Sequence, residues 1–355
     1  MSESWNEYHF VVQMPHMAPG EKLSEVEMLK MLAAHQWESI ARALGQRPSQ
    51  IQNEQGDRLY GSVIDVEFHL GKQHSQEILG EDAEVHVCNQ VRFFAKKFVE
   101  GLFVIDHQPI RPGDLDAIKS REDLRARGGS WACMTNAFIA RGGGNTRLKV
   151  FKPAGVEHLR VPELTQTPEG IREQGRVQRT GVMPVLDPEL SFLPLADGAP
   201  GPVRYQIVPE SDLNGAGLVY FARYEAMMNY GERLFLRDHL ERPISSDFVA
   251  HLSTEHRRAY FFANASPSDE VHVFVSAGLL PPDRFEQPDP KVGYRQPLKL
   301  EFRIDLYRAS DLQLMASSLV RKSLNVPGHN KAVLAEAERL LRQVAPGRAT
   351  GGEPD

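Results

Sequence analysis

Two short segments carry side chains placed for chemistry. In Leu59-Tyr60-Gly61-Ser62-Val63-Ile64-Asp65-Val66-Glu67-Phe68-His69-Leu70, a phenol stands near the start of an alternating run, beside the small residues Gly61 and Ser62. A tyrosine there is either a packed core residue with its hydroxyl satisfied or a nucleophile with room for a substrate to approach. Phenols ordinarily titrate at about 10, so nucleophilic use requires a neighbouring cation or aligned N–H donors to stabilise the anion. The second segment is Asp212-Leu213-Asn214-Gly215-Ala216-Gly217-Leu218-Val219-Tyr220-Phe221, a Gly-x-Gly turn feeding a helix. Such a turn lets the backbone N–H groups of Ala216, Gly217 or Leu218 approach a ligand oxygen, with the favourable end of the helix dipole behind them. The Asn214 amide adds a donor without adding negative charge. Asn214 can equally act as the helix N-cap, and one turn accommodates both roles.

These side chains need elements to hold them. Alternation places Tyr60, Ser62, Ile64, Val66 and Phe68 on one strand face, with Gly61, Asp65, Glu67 and His69 opposite, so Tyr60 is expected to face a helix across the core. One face of such a strand should be buried and the other wet. Leu29, Leu32, Trp37, Ile40 and Leu44 recur at helical spacing after a Pro/Gly turn, and further strands are expected over 83–106 and 131–141. From residue 206 the order repeats: a Gly-rich turn, a helix of about five turns, then strands over 256–264, 270–280, 298–309 and 313–326. Glu84-Val85-His86-Val87 is echoed by Glu270-Val271-His272-Val273. The repeated order implies duplication. It predicts an α+β fold of two fused units, residues 1–152 and 203–330, each a long central helix wrapped by an antiparallel sheet. The two helices are expected to begin near Glu21 and Leu218. Residues 153–202, rich in proline and glycine, read as a linker, and 331–355 as a helix followed by a polar tail expected to be disordered past Pro346.

Bulk properties narrow the chemistry. The 355 residues are 41% hydrophobic and 25% charged, with a formal net charge of −6, which argues against nucleic-acid or polybasic membrane partners. Cys88 and Cys133 form no CxxC pair, so a disulfide framework or a zinc site is not expected and a reducing cytoplasm fits. No apolar stretch approaches the roughly 18 residues of a membrane span, and the first residues do not read as a signal peptide. Arg257, Arg258, Arg172, Arg176 and Arg179 read as exposed surface cations, each a candidate contact for a coenzyme A phosphate or an acidic carrier protein.

A long helix wrapped by an antiparallel sheet is the hot-dog architecture, and three segments resemble families that use it. Asp212 through Tyr224 is similar to the D-x-D-x-x-G-x-V-[YF] turn and helix of acyl-CoA thioesterases of the 4-hydroxybenzoyl-CoA type. The family's second, catalytic aspartate corresponds to Asn214, an amide with no basic or nucleophilic role, which puts ordinary thioester hydrolysis in doubt. Over its whole length the chain resembles the double hot-dog acyltransferase/decarboxylase family of leinamycin polyketide biosynthesis. That likeness rests on the Met14-Pro15-His16-Met17-Ala18-Pro19 opening, the strand around Tyr60, the helix after Asn214 and the two-copy layout. It implies an enzyme with no cofactor beyond its substrate. The enzyme takes an acyl group from methylmalonyl-CoA through a tyrosine, matched here by Tyr60, decarboxylates it and loads propionyl, or acetyl from malonyl-CoA, onto an acyl carrier protein. Under this reading Asn214, Gly215, Ala216, Gly217 and Leu218 supply donors to the enolate oxygen that forms as CO2 leaves, and Ser62 contributes to substrate binding. Met14 to Pro19 also resembles the L-P-H-R-Y-P segment of hot-dog 3-hydroxyacyl carrier-protein dehydratases. By that likeness His16 is a base partnered by Glu225 or Glu232 across the pseudo-dimer; otherwise it is a polar residue holding the turn. A thioesterase, a dehydratase or a non-catalytic acyl-thioester binding protein, and a homodimer of the chain, remain compatible with the sequence.

Overall fold

The computed structural model describes residues 5–71, 75–76, 78–141, 148–159, 161–196, 201–280, 298–326 and 330–344. The tail past Pro346 and part of the Pro/Gly-rich connector lie outside them. The first half runs β1 (Asn6–Val11), β2 (Met17–Ala18), β3 (Lys22–Leu23), α1 (Glu25–Ala43), β4 (Leu59–His69), β5 (Glu84–Phe94), β6 (Phe98–Asp106), α2 (Arg121–Arg127), β7 (Ser130–Ala140) and β8 (Lys149–Val150). A connector carries β9 (Glu163–Leu164), α3 (Glu169–Thr180) and β10 (Leu193–Pro194). The second half runs β11 (Val203–Gln206), α4 (Pro209–Asp212), α5 (Phe221–Asp238), α6 (Ser246–Ala250), β12 (Leu252–Phe261), β13 (Glu270–Leu279), β14 (Leu298–Arg308), β15 (Gln313–Leu324) and α7 (Lys331–Val344).

The strands form a 13-stranded sheet in the order β1-β5-β6-β7-β4-β12-β15-β14-β13-β10, with β11 also on β13, β8 on β7 and the short β9 parallel to β5. The two halves mirror one another about the centre, where β4 and β12 pair antiparallel from His69 opposite His256 to Asp65 opposite Tyr260. The repeated element order in the sequence thus becomes one continuous antiparallel surface. Helix α1 is capped by Ser24, whose hydroxyl accepts the Glu27 N–H, with Glu25 and Glu27 suiting the dipole of its first turn. Its Leu29, Leu32, Gln36 and Ile40 are buried at three-to-four spacing. Helix α5 buries Ala222, Tyr224, Met227, Met228 and Phe235, and both helices pack on one another. One apolar cluster joins Leu29 and Leu32 of α1 to Met227 of α5, Phe68 of β4 and Phe302 of β14, so a single core spans both halves. Each such Leu or Phe contributes about 1.5–3 kcal/mol of burial. Among the described residues no helix is long and apolar enough to cross a membrane.

Three features depart from the sequence reading. The run over 83–106 is a hairpin of two strands, turned at Ala95 and Lys96 with φ of +49° and +56°. Neither residue type advertises that backbone region. The connector holds the 12-residue helix α3, which packs on β4, β7 and β12; the spacing of Ile171, Gln174 and Val177 is the signal for it. The central helices begin at Glu25 and Phe221. Before α1, Lys22 and Leu23 are held as a strand against Met17 and Ala18. Before α5, Leu213 bridges Val219, so neither stretch can join its helix.

Candidate active site

Strand β4 is not a simple alternating strand. Its pairing with β7 shifts register between Val63 and Asp65, a bulge that turns everything on its N-terminal side over relative to the rest. Val63, Val66 and Phe68 enter the main core, and a Cβ on Gly61 would meet the Trp37 ring of α1 at 3.0 Å. Gly61, not Tyr60, therefore faces the helix. Tyr60 and Ile64 lie on the other face, packed with Ala137, Ile139, Ala216 and Leu218. That outer face is not wet either. Asp65, 1% exposed, receives the Arg121 guanidinium at 2.6 and 3.1 Å, and Glu67 receives Arg125 and Arg258 at 2.5 and 2.6 Å. Burial works against the Glu67 carboxylate, yet His256, Arg258 and Arg125 hold it well below the usual range.

Opposite Tyr60, residues 212–220 close into a compact loop. The Asp212 carboxylate, fully buried, accepts the Val208 N–H at 2.8 Å, the Tyr205 hydroxyl at 3.0 Å and the Arg223 Nε at 3.0 Å. Asn214 Oδ1 accepts the N–H groups of Ala216 at 2.9 Å and Leu218 at 3.2 Å, and the Gly217 N–H donates to the Asn214 carbonyl at 2.8 Å. Gly217 has φ of +70°, with Arg141 Nη2 at 3.2 Å from the position of a Cβ, so a side chain is excluded there. Two expectations change. Asn214 is not the N-cap, since Tyr220 occupies that position without a side-chain bond. The amides of Ala216, Gly217 and Leu218 are consumed inside the loop, so they cannot also hold a ligand oxygen. The side-chain donor left at this place is Asn214 Nδ2, whose direction is fixed by the two bonds to Oδ1, and Phe221, in the first turn of α5, also lines the cleft.

Tyr60, Ser62, Asn214 and Leu218 line one cleft of about 340 Å³ between β4, the start of α5 and α3, which contributes Ile171 and Gln174. Among the described residues the lining contains no Asp, Glu, His, Lys or Arg. Arg58 lies over the Tyr60 ring, 5.1 Å from its centroid, close enough for cation–π attraction. Burial, with the Glu27 charge adding, pushes the Tyr220 phenol up to about 12, so it stays protonated. The structure thus joins Tyr60, Ser62, Asn214 and Leu218, places Ala216 behind the wall, and leaves Gly215, Gly217 and His16 outside the lining. Sequence reasoning missed α3 as a wall and Asp212 as the anchor of the loop.

Solved structures of thioesterases align with most of the chain, two of them as follows. An acyl-ACP thioesterase from Bacteroides thetaiotaomicron matches with a TM-score of 0.51 at 11% identity, covering 90% of this chain and 97% of its own. The oleoyl thioesterase assigned in Lactobacillus plantarum matches with a TM-score of 0.55 at 9% identity, covering 91% and 98%. The chain has their hot-dog-type fold. At such identities the likeness is one of architecture alone, and no family model or curated protein sequence matches.

The hot-dog-type arrangement offers a second cleft, of about 390 Å³, where the start of α1 meets α5, β12 and β15. Its chemistry is opposite to that of the first. Glu25, Glu232 and Lys322 line it, with Lys322 Nζ 2.7 Å from Glu232. Behind it Arg257, 0% exposed, binds Glu25 and lies 2.8 Å from Glu225. Arg257 and Arg258 are therefore buried ion-pair partners rather than surface cations, because β12 is a central strand covered on both faces. Glu225 and Glu232 are both held by cations of the core. His16 lines neither cleft; its Nδ1 accepts the Gln13 N–H at 3.0 Å in a tight turn. His16 therefore shares neither cleft lining with Glu225 or Glu232.

Burial outweighs Arg257 at Glu225, and the Glu25 charge adds to it, so Glu225 is pushed up to about 7. Between the usual 4.5 and about 7 the folded chain keeps a proton that the unfolded chain loses. This contribution to stability is complete below 4.5 and lost as pH rises through 7. Glu225→Gln should flatten the fall of Tm across that window, and a profile as steep as that of the wild type in thermal melts would contradict the assignment.

Proposed function

We propose that this chain is a double hot-dog enzyme of acyl-thioester chemistry: an acyltransferase/decarboxylase that acts on methylmalonyl- or malonyl-CoA and loads the shortened acyl group onto an acyl carrier protein, in a polyketide-type pathway. The observation that carries this reading is a cleft that sets a phenol opposite an oriented amide and, among the described residues, has no carboxylate or imidazole in its lining. Hydrolysis needs a general base to activate water, and dehydration needs an acid and a base. Decarboxylation needs neither, only donors for the oxygen that becomes negative.

The residues divide the work as follows. The Tyr60 oxygen attacks the thioester carbonyl, the C–S bond breaks, and the phenolic proton leaves with coenzyme A as its thiol. In the tyrosyl ester, the bond from the α-carbon to the carboxylate breaks, CO2 departs, and the electron pair becomes an enolate. Its oxygen faces Asn214 Nδ2 near the opening turn of α5, and water returns a proton to the α-carbon. The carrier's pantetheine thiol then attacks the ester carbonyl, giving its proton to the Tyr60 oxygen and restoring the phenol. The uncharged walls disfavour a carboxylate in the ground state relative to neutral CO2 and a hydrogen-bonded, delocalised anion. Incubation with methylmalonyl-CoA, followed by intact-protein mass spectrometry and CO2 measurement, tests this. CO2 release with propionyl on the carrier supports it, and free methylmalonate as the only product would establish a thioesterase.

Asn214→Asp separates the amide's two ends. A carboxylate can still accept the Ala216 and Leu218 N–H groups, so the loop and the melting temperature should be kept. The Nδ2 donor is lost and a negative charge faces the enolate. Removing one such donor costs about 3 kcal/mol in the barrier, about a hundredfold in rate. Undiminished CO2 release by the variant would reduce Asn214 to a loop residue.

A further inference from the structure

The pairing of β1 with β5 at the outer edge of the sheet sets His9 opposite His86 and Val11 opposite Glu84. Tyr8 and Phe10 pack against the core, which leaves Glu7, His9, Glu84 and His86 together on the other face. His9 Nε2 is 3.8 Å and His86 Nε2 is 3.9 Å from Glu84 Oε2, and one ligand atom from each of the three residues lies within 4.8 Å of the others. These spacings are too long for hydrogen bonds. His86 is 8% exposed, yet among the described residues neither of its ring nitrogens has a hydrogen-bond partner. Leaving a buried polar group unpaired costs about 1–3 kcal/mol, which marks a ring arranged for something else.

The second half of the chain contains the same motif in closed form. Glu270-Val271-His272-Val273 repeats Glu84-Val85-His86-Val87, and β11 pairs with β13 as β1 pairs with β5. There Arg204 stands opposite His272, with its Nε 4.0 Å from Glu270, while His272 Nε2 reaches Glu270 Oε1 at 3.0 Å. The second copy carries its own cation. In the first copy a histidine takes the arginine's place, and the described residues beside the carboxylate are two imidazoles.

We propose that His9, Glu84 and His86 bind a divalent transition-metal ion of the Zn2+ class, which clips edge strand β1 to β5. Two imidazoles and a carboxylate are a favoured donor set for such ions, with bonds of about 2.0–2.2 Å. Closing around the ion requires the His–Glu atoms to approach by roughly half an ångström from 3.8 and 3.9 Å, and any pair at the 4.8 Å outer limit of the set by somewhat more. His86 Nδ1 faces Glu7 Oε1 at 3.8 Å, so a carboxylate stands behind the ligand ring to orient it and raise its basicity. The site uses no residue of the Tyr60 cleft, so its test is independent of the enzyme reading.

The test is calorimetric titration of the chelator-stripped full chain with Zn2+, repeated with Co2+ and read by visible absorption. The expected result is one ion per chain at micromolar affinity or tighter, with a higher Tm. His9→Gln and His86→Gln should each weaken binding at least about tenfold, as should Glu7→Gln through the ligand it orients. His272→Gln should leave binding unchanged. His9 is exposed, so its variant remains informative if the His86 variant fails to fold. No stoichiometric uptake, or the same affinity in His9→Gln as in the wild type, would overturn the proposal.

Discussion

Tyr60→Phe is expected to abolish acyl transfer while leaving the protein folded. The ring fills one wall of the cleft against Ile64, Ala137 and Leu218, and phenylalanine keeps that volume, so the change in stability should stay below about 1.5 kcal/mol. Only one oxygen is lost. If that oxygen carries the acyl group, no ester can form, the mass increment on the protein disappears, and transfer to the carrier falls by at least about a thousandfold, as for loss of a covalent nucleophile. A core tyrosine would show the reverse, altered stability with preserved turnover. Labelled acyl transfer to a carrier protein, paired with thermal melts, distinguishes the two. Wild-type transfer rates in the variant would remove Tyr60 from the mechanism.

Arg257→Ala is expected to produce the largest loss of stability. The guanidinium, on central strand β12, binds Glu25 at the start of α1, lies beside Glu225 of α5, and donates to Ser318 Oγ at 3.1 Å and Asn229 Oδ1 at 3.1 Å. It holds Glu25 below the usual carboxylate range against the effect of burial. Without it, two carboxylates remain in the core, with Lys322 as the nearby cation. Breaking a buried pair in this way costs about 3–5 kcal/mol, against a total of about 5–15 kcal/mol for a typical protein. Thermal or urea melts should show a fall of roughly 10 °C in Tm, or insoluble expression. An unchanged melt would mean that the network contributes little.

The charge network also shows where sequence reading stops. Glu25 and Arg257 are 232 residues apart, and nothing in the local pattern of either distinguishes a buried ion pair from a solvated surface. The same holds for His9 and His86, each unremarkable alone and joined only by the register of two strands. In β4, a perfect alternation from Tyr60 to Phe68 implied one inward face. The bulge at Ile64 reversed its first half, because an extra residue changes which side chains face α1 without changing the letters. The small neighbours of Tyr60 single it out in the sequence, but for a face it does not occupy.

The sequence by itself determined the elements that local physics controls. The three-to-four spacing of Leu29, Leu32 and Ile40 makes a helix wherever it sits, the period-2 run from Leu300 to Leu306 makes a strand, and the repeated order makes two similar halves. It also determined that Asn214, not an acid, stands in the turn before α5. Tertiary structure alone decided what those residues meet. The pairing of β4 with β12 brings Tyr60 of one half to Asn214 of the other, and the Asn214 side chain, by taking the loop's own amides on its Oδ1, leaves its Nδ2 as the donor end. Such outcomes depend on contacts between distant segments, whose geometry is set by packing the whole core and not by any window of the chain.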